Sequence, residues 1–262
     1  MSETVVRSGA PVRLLAPADA GQPAVRLAHV SKWFERGGRR QTVLDDIELT
    51  VRRGEFLCVL GASGCGKSTL LNLVAGLDAP SAGNIEVPGG RRPALMFQEH
   101  ALFPWLTAGR NVELALRLRG VPRRERSGRA RHLLELVRLK DAYGKRVHEL
   151  SGGMRQRVAL ARALAQDGDV LLMDEPFAAL DAITRDVLHE ELTRIWSEKD
   201  LTVVFVTHNV REAVRLGERV VLMSSRPGRV AREWSVSDAP ETALTGAVTD
   251  ALREEIRRHG RR

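Results

Sequence analysis

The sequence predicts an α/β fold centred on a buried parallel sheet, and three short apolar runs carry that expectation. Phe56-Leu57-Cys58-Val59-Leu60 leads into a glycine-rich loop at 61–68 and then a helical stretch at 69–75. Val170-Leu171-Leu172-Met173 ends in Asp174-Glu175, and Val203-Val204-Phe205-Val206 ends in Thr207-His208. Runs this short, apolar throughout rather than alternating, suit strands covered on both faces. Polar residues follow each run, which places chemistry at the carboxyl edge of the sheet, where open α/β folds hold ligands.

Taken in order, residues 1–23 are rich in Ala, Gly, Pro and Ser without a clear period, so a flexible tail is expected there. The main domain is expected over 24–245. Val25-Arg26-Leu27-Ala28-His29-Val30 alternates as a half-exposed strand, and residues 43–51 resemble another. With Asn84-Ile85-Glu86-Val87 they suggest an antiparallel sheet beside the core. In the loop between, Gly61, Gly64 and Gly66 let the backbone curl so that successive N–H groups face one anion, and the next helix adds its positive end. Lys67 would reach the β- and γ-phosphates, and the Ser68 hydroxyl suits Mg²⁺. A glycine-rich turn with an exposed lysine has the same composition, but not the strand before it and the helix after it. The loop implies a nucleoside triphosphate site.

Residues 108–165 read as mainly helical. Within them lies Leu150-Ser151-Gly152-Gly153-Met154-Arg155-Gln156-Arg157, where Ser151 suits an N-cap and Val158, Ala161 and Ala165 continue the helical spacing. Two glycines at that helix start leave several N–H donors uncovered, a second anion site. An ordinary capped helix has the same residues. A chain with one phosphate loop has little use for the second site, whereas two copies packed head to tail would each close over the other's γ-phosphate. Further on, Asp174 at a strand end suits the Mg²⁺ hydration shell, and Glu175 suits the base or water-polarising group. Strands return at 202–206 and 219–223, and residues 246–262 read as a charged helix.

These pieces together resemble the ATP-binding-cassette ATPases. The phosphate loop, Gln98 in Met96-Phe97-Gln98-Glu99, the Leu-Ser-Gly-Gly segment, the strand ending in Glu175, Ala179-Leu180-Asp181 and His208 occur in that family's order. The resemblance covers roughly residues 25 to 230. It implies a P-loop NTPase (RecA-like) core with an antiparallel β subdomain and an α-helical subdomain at about 99–165. It also implies ATP and Mg²⁺ as ligands. Residue by residue, it implies that Phe34 stacks on adenine, with Trp33 as the fallback. Gly61, Ala62, Ser63, Gly64, Cys65, Gly66, Lys67, Ser68 and Thr69 would hold the phosphates. Ser68, Gln98 and Asp174 would hold the metal, with Gln98 also sensing the attacking water. Glu175 and His208 would act in hydrolysis, His208 on the γ-phosphate. Ser151 and Gly153 would contact the partner's nucleotide, and Asp181 would link the two sites of a dimer.

Finer features are similar to one branch, the nitrate, sulfonate and taurine importer ATPases. They are Leu102-Phe103-Pro104-Trp105-Leu106-Thr107 with Asn111-Val112, Phe177-Ala178-Ala179-Leu180-Asp181-Ala182-Ile183-Thr184-Arg185, and Ser224-Ser225-Arg226-Pro227-Gly228-Arg229-Val230. The closest likeness is to the aliphatic-sulfonate members. The resemblance implies a second copy of the chain, two copies of a transmembrane permease contacted near Trp105, and indirectly an extracytoplasmic solute-binding protein. It places the chain on the cytoplasmic side of the cell membrane as a peripheral subunit. Taurine or nitrate as cargo, or a soluble non-transport ATPase of the same family, are the competing expectations.

Composition agrees. At 262 residues the chain suits one large domain or two subdomains with ample core. No run of 18 or more apolar residues is present, the length a membrane-crossing helix needs. The first residues lack a cationic segment followed by an apolar one, so no secretory signal is expected. Two cysteines, Cys58 in a strand and Cys65 in the loop, read as packing residues rather than a disulfide or metal pair, as in a reducing cytosol. The net charge is +8, but the arginine clusters are scattered and aromatic residues make up 4% of the chain. Solvated helix faces account for them, and no nucleic-acid partner is expected.

Overall fold

The computed structural model describes residues 22–259. Two sheets organise it. The larger has six strands in the order β5-β6-β7-β3-β8-β9, and the smaller has three in the order β2-β1-β4. The three apolar runs are β3 (Phe56–Leu60), β6 (Val170–Asp174) and β7 (Thr202–Thr207), joined by β8 (Arg219–Met223), all parallel. Their pairing brings Leu60 beside Thr207, and Asp174 beside Val206. The phosphate loop, both acidic residues and His208 therefore leave the sheet at one edge.

Side chains alternate across the strands, so the two faces build two cores. Phe56, Cys58, Leu60, Leu171, Met173, Val203 and Phe205 face one way, into a cluster that also receives apolar residues of α2–α7. Leu57, Val59, Leu172, Val204 and Val206 face the other way, onto α1 (Lys67–Val74) and the antiparallel sheet. This two-sided cover is why the strands lack alternation.

The antiparallel sheet forms as expected, but its first two strands are longer: β1 is Pro23–Arg36 and β2 is Arg39–Arg52, with β4 at Ala82–Glu86. Gly37 and Gly38, with φ of +57° and +73°, turn β1 into β2; two consecutive positive φ angles match the strand twist in a two-residue hairpin. Pro23, expected at the end of the tail, already pairs with Arg52 in β1, and residues 1–21 of that expected tail lie outside the described residues.

The helical stretch resolves into α2 (Ala108–Leu118), α3 (Arg123–Leu136) and α4 (Gly152–Leu164). Then follow α5 (Ala182–Lys199), α6 (Val210–Leu216) and α7 (Glu241–His259). Helix α7 starts at Glu241 rather than 246, just after Pro240, and it is amphipathic rather than merely charged. Leu244, Val248 and Ala251 are at most 4% exposed and join the main core. Residues 260–262, the end of the expected charged helix, lie outside the described residues. Two edge strands had no sequence expectation: β5 (Ala94–Met96), parallel to β6, and β9 (Val230–Ser235), antiparallel to β8. Among the described residues no helix is long and apolar enough to cross a membrane.

Candidate nucleotide site

The loop between β3 and α1 is shaped by glycine. Gly64 and Gly66 have φ of +77° and +102°, and Gly66 stands at the N-cap of α1 without a side-chain cap. The first N–H groups of α1 therefore lack a side-chain acceptor at the cap and face an incoming anion. A Cβ at Gly61 would lie 2.6 Å from the Cys65 sulfur, so the loop folds tightly on itself. Lys67 is 5% exposed and arches over the loop, where its Nζ donates to Gly61 O at 2.8 Å and Ala62 O at 3.1 Å. Both cysteines are free thiols. Burial raises the Cys58 and Cys65 thiols, the latter partly offset by Lys67, so both remain protonated packing groups.

Two carboxylates meet this loop. Asp174 ends β6 and is hydrogen-bonded to the Ser68 hydroxyl; burial raises its pKa, opposed by that bond. Glu175 follows with φ +43°, a backbone turn that costs a non-glycine residue energy and aims its side chain along the sheet edge. Its N–H bonds Val206 O at 3.0 Å. Glu175 Oε1 lies 3.6 Å from Lys67 Nζ, and Oε2 lies 2.8 Å from His208 Nδ1. Lys67, Glu175 and His208 thus form one polar line although they are scattered over 140 residues of sequence. Gln98 is exposed two residues beyond β5, whose Met96 pairs with Met173 of β6, so it stands at the same edge.

The other expected residues form separate groups. Phe34 is 44% exposed on β1 opposite Gln41, with the Lys32 ammonium 4.9 Å from its ring centre. The face of Trp33 is covered by the Arg40 guanidinium at 3.4 Å, which leaves Phe34 the freer ring. Ser151 caps α4, its hydroxyl accepting from Met154 N at 3.3 Å, and Asp181 caps α5, accepting from Thr184 N at 3.0 Å. These two helix starts pack together: a Cβ at Gly153 would lie 2.6 Å from Thr184 Cγ2. That contact, and not an anion alone, requires glycine there. The Thr184 N–H holds the Asp181 carboxyl below its usual range.

A profile of the ABC transporter family matches residues 44–178. This chain belongs to that family. A taurine import ATP-binding protein of Jannaschia sp. is 46% identical to the cassette, over 82% of this chain and 83% of the relative. An aliphatic sulfonates import ATP-binding protein of Bacillus licheniformis is 43% identical, over 86% of this chain and 89% of the relative. The fold matches that of a dimeric ATP-binding cassette solved after hydrolysis with ADP and phosphate, with TM-score 0.72 and 34% identity. That match covers 81% of this chain and 98% of the other. The cassette therefore lies in the taurine and sulfonate branch of import ATP-binding proteins.

One support of the cassette's phosphate loop lies in a segment whose contacts the sequence does not reveal. The turn after β8 runs under the loop: Gly228 N donates to Val43 O at 2.8 Å, and Asp45 N donates to Gly228 O at 3.0 Å. A Cβ on Gly228 would lie 2.2 Å from Cys65 O. Arg226-Pro227-Gly228 marks a turn in the sequence, but nothing there says what the turn touches.

Proposed function

We propose that the cassette is the ATP-hydrolysing subunit of an importer for aliphatic sulfonates, acting as a head-to-tail pair of chains. The Lys67–Glu175–His208 line beside the Ser68–Asp174 pair carries the catalytic reading. Phosphates entering the loop meet the uncovered N–H groups of α1 and the Lys67 ammonium. Glu175, held by His208, orients the attacking water and takes its proton, and His208 donates to the γ-phosphate. Ser68 and Asp174 are an oxygen-only pair, and burial leaves Asp174 short of counter-charge, which fits Mg²⁺. Ser68, Asp174 and Gln98 would hold that ion, which when bound neutralises charge developing on the phosphates. Phe34 supplies a stacking face for adenine.

The helix start at Ser151 supports the dimer reading, because it is exposed and its first N–H groups can meet an anion brought by a second chain, while Asp181, packed beside it, would link the two sites. An apolar groove lined by Leu77, Phe97, Phe103 and Leu118 supports contact with a permease helix. Trp105, 68% exposed, leans on Phe103 at its margin with ring centres 5.5 Å apart. Exposed aromatic and aliphatic residues in one place mark an interaction surface. The cassette would then sit peripherally on the cytoplasmic side of the cell membrane, with a solute-binding protein on the far side. The sulfonate cargo rests on relatives, among which taurine import proteins stand equally near; nitrate transport and a soluble non-transport ATPase remain the rivals. Purification from membranes tests the transport role: the chain should copurify with a polytopic permease, and Trp105→Ala should weaken that association. A cassette that never associates with a permease belongs to the soluble alternative.

A further inference from the structure

The catalytic edge rests on a buried polar group that the catalytic reading does not use. Thr207 ends β7 immediately before His208 and is 2% exposed. Its hydroxyl donates to Glu212 Oε2 and accepts from Asn209 N at 3.0 Å. The Asn209 side chain in turn caps α6, accepting from Arg211 N at 3.0 Å. Both neighbours of His208 are therefore pinned by one hydroxyl. Glu212 is 7% exposed, and its other oxygen meets His189 Nε2 of α5 at 2.7 Å. His189, 4% exposed, lies against Phe177 with ring centres 5.5 Å apart. Phe177 follows Glu175 by two residues and is 1% exposed.

We propose that Thr207 and Glu212 are positioning residues that aim His208, and that His189 ties their group to the segment carrying Glu175. The Glu212 carboxylate bridges Thr207 of β7 and His189 of α5, so the three side chains fix one another's orientation. Two strand-end loops then share one buried support, and the 2.8 Å approach of His208 to Glu175 is set by it. Buried hydrogen bonds such as those from Thr207 and His189 to the two Glu212 oxygens lock geometry, and removing one partner costs stability; His189 Nδ1, on the far side of the ring, has only Asp186 Oδ1 at 4.0 Å. Catalysis is sensitive to such aim, because small misplacements of a catalytic group lower the rate steeply. The inference rests on reading His208 as the γ-phosphate contact.

Thr207→Val keeps the shape but removes the hydroxyl, and the purified full-length chain reads the result. ATP hydrolysis should fall about tenfold or more in kcat, with ATP affinity within about twofold of the parent. Thr207→Ser should restore most of the rate. On a His208→Ala background, Thr207→Val should add nothing, because its effect passes through His208. An equal further loss on that background, or a parental rate for Thr207→Val alone, would overturn the proposal while leaving His208's own role intact. A parental rate for His208→Ala would overturn both. Should Thr207→Val not fold, Glu212→Gln, tested in the same pair of backgrounds, gives the same readings.

Discussion

At Glu175 the backbone takes a costly turn, and the carboxylate sits between a lysine and a histidine. Replacing it with Gln keeps its size and removes the proposed base. The Glu175→Gln chain should bind ATP as the parent does while hydrolysis falls about 10²-fold or more, the scale of positioned acid–base groups. Phosphate release under saturating ATP checks this; parental turnover would assign the base elsewhere. Gly228 makes the complementary case, since it packs beneath the loop. A methyl group there would press on the Cys65 carbonyl, which is backbone and cannot swing aside. Gly228→Ala should cost about 1–3 kcal/mol of stability and weaken ATP binding about tenfold or more, the effect of losing about 1.4 kcal/mol. Thermal melting and equilibrium nucleotide titration read the two effects. The contrast explains what is legible in the sequence. Lys67, Ser68, Asp174 and Glu175 announce themselves because few other residue types perform their chemistry. Gly228, Thr207 and Glu212 act through packing and hydrogen bonds to partners distant in sequence, so their residue types alone reveal nothing.

Among elements, α4 shows how a helix start serves two ends. Ser151 caps it locally, and Gly153 allows close packing on Thr184 of α5. Ser151→Arg removes the cap, at a cost of about 1 kcal/mol, and sets a bulky cation over the exposed donors. ATP binding to the single chain should persist, while the ATP-dependent dimer disappears. Size-exclusion chromatography on the Glu175→Gln background separates the outcomes, and an undiminished dimer would contradict the role of this helix start. The buried parallel strands were readable because cover on both faces leaves only apolar residues. Strand β9 was not: it is an edge strand with Ala231, Arg232 and Glu233 exposed, and it lacks both an apolar run and clean alternation. Strand β5 is too short, at three residues, to show any period. In α7 the many charges hid a stripe at positions 244, 248 and 251 that only its packing on the core reveals.

For the whole molecule, two chains closing on ATP and opening after hydrolysis would rock whatever is docked at the Trp105 groove. Deletion of the gene should abolish growth on an alkanesulfonate as sole sulfur source and spare growth on sulfate. Normal alkanesulfonate growth with lost taurine or nitrate uptake would reassign the cargo, and loss of none, in a strain lacking redundant systems, would remove the transport role. The strand order has a consequence for how the molecule comes into being. Strand β3 carries the phosphate loop, yet its neighbours β7 and β8 lie about 140 and 160 residues further along the chain. On the ribosome the loop is made early and waits, at about 5–20 residues per second, for roughly 7 to 30 s before either neighbour exists. The β1–β2 hairpin closes from adjacent residues, but β3 meanwhile presents two unpaired backbone edges on a wholly apolar strand, the kind that aggregates. The partners that shape the loop, β7, β8 and Gly228 of the turn beneath it, are therefore complete only in a chain whose synthesis has passed Gly228.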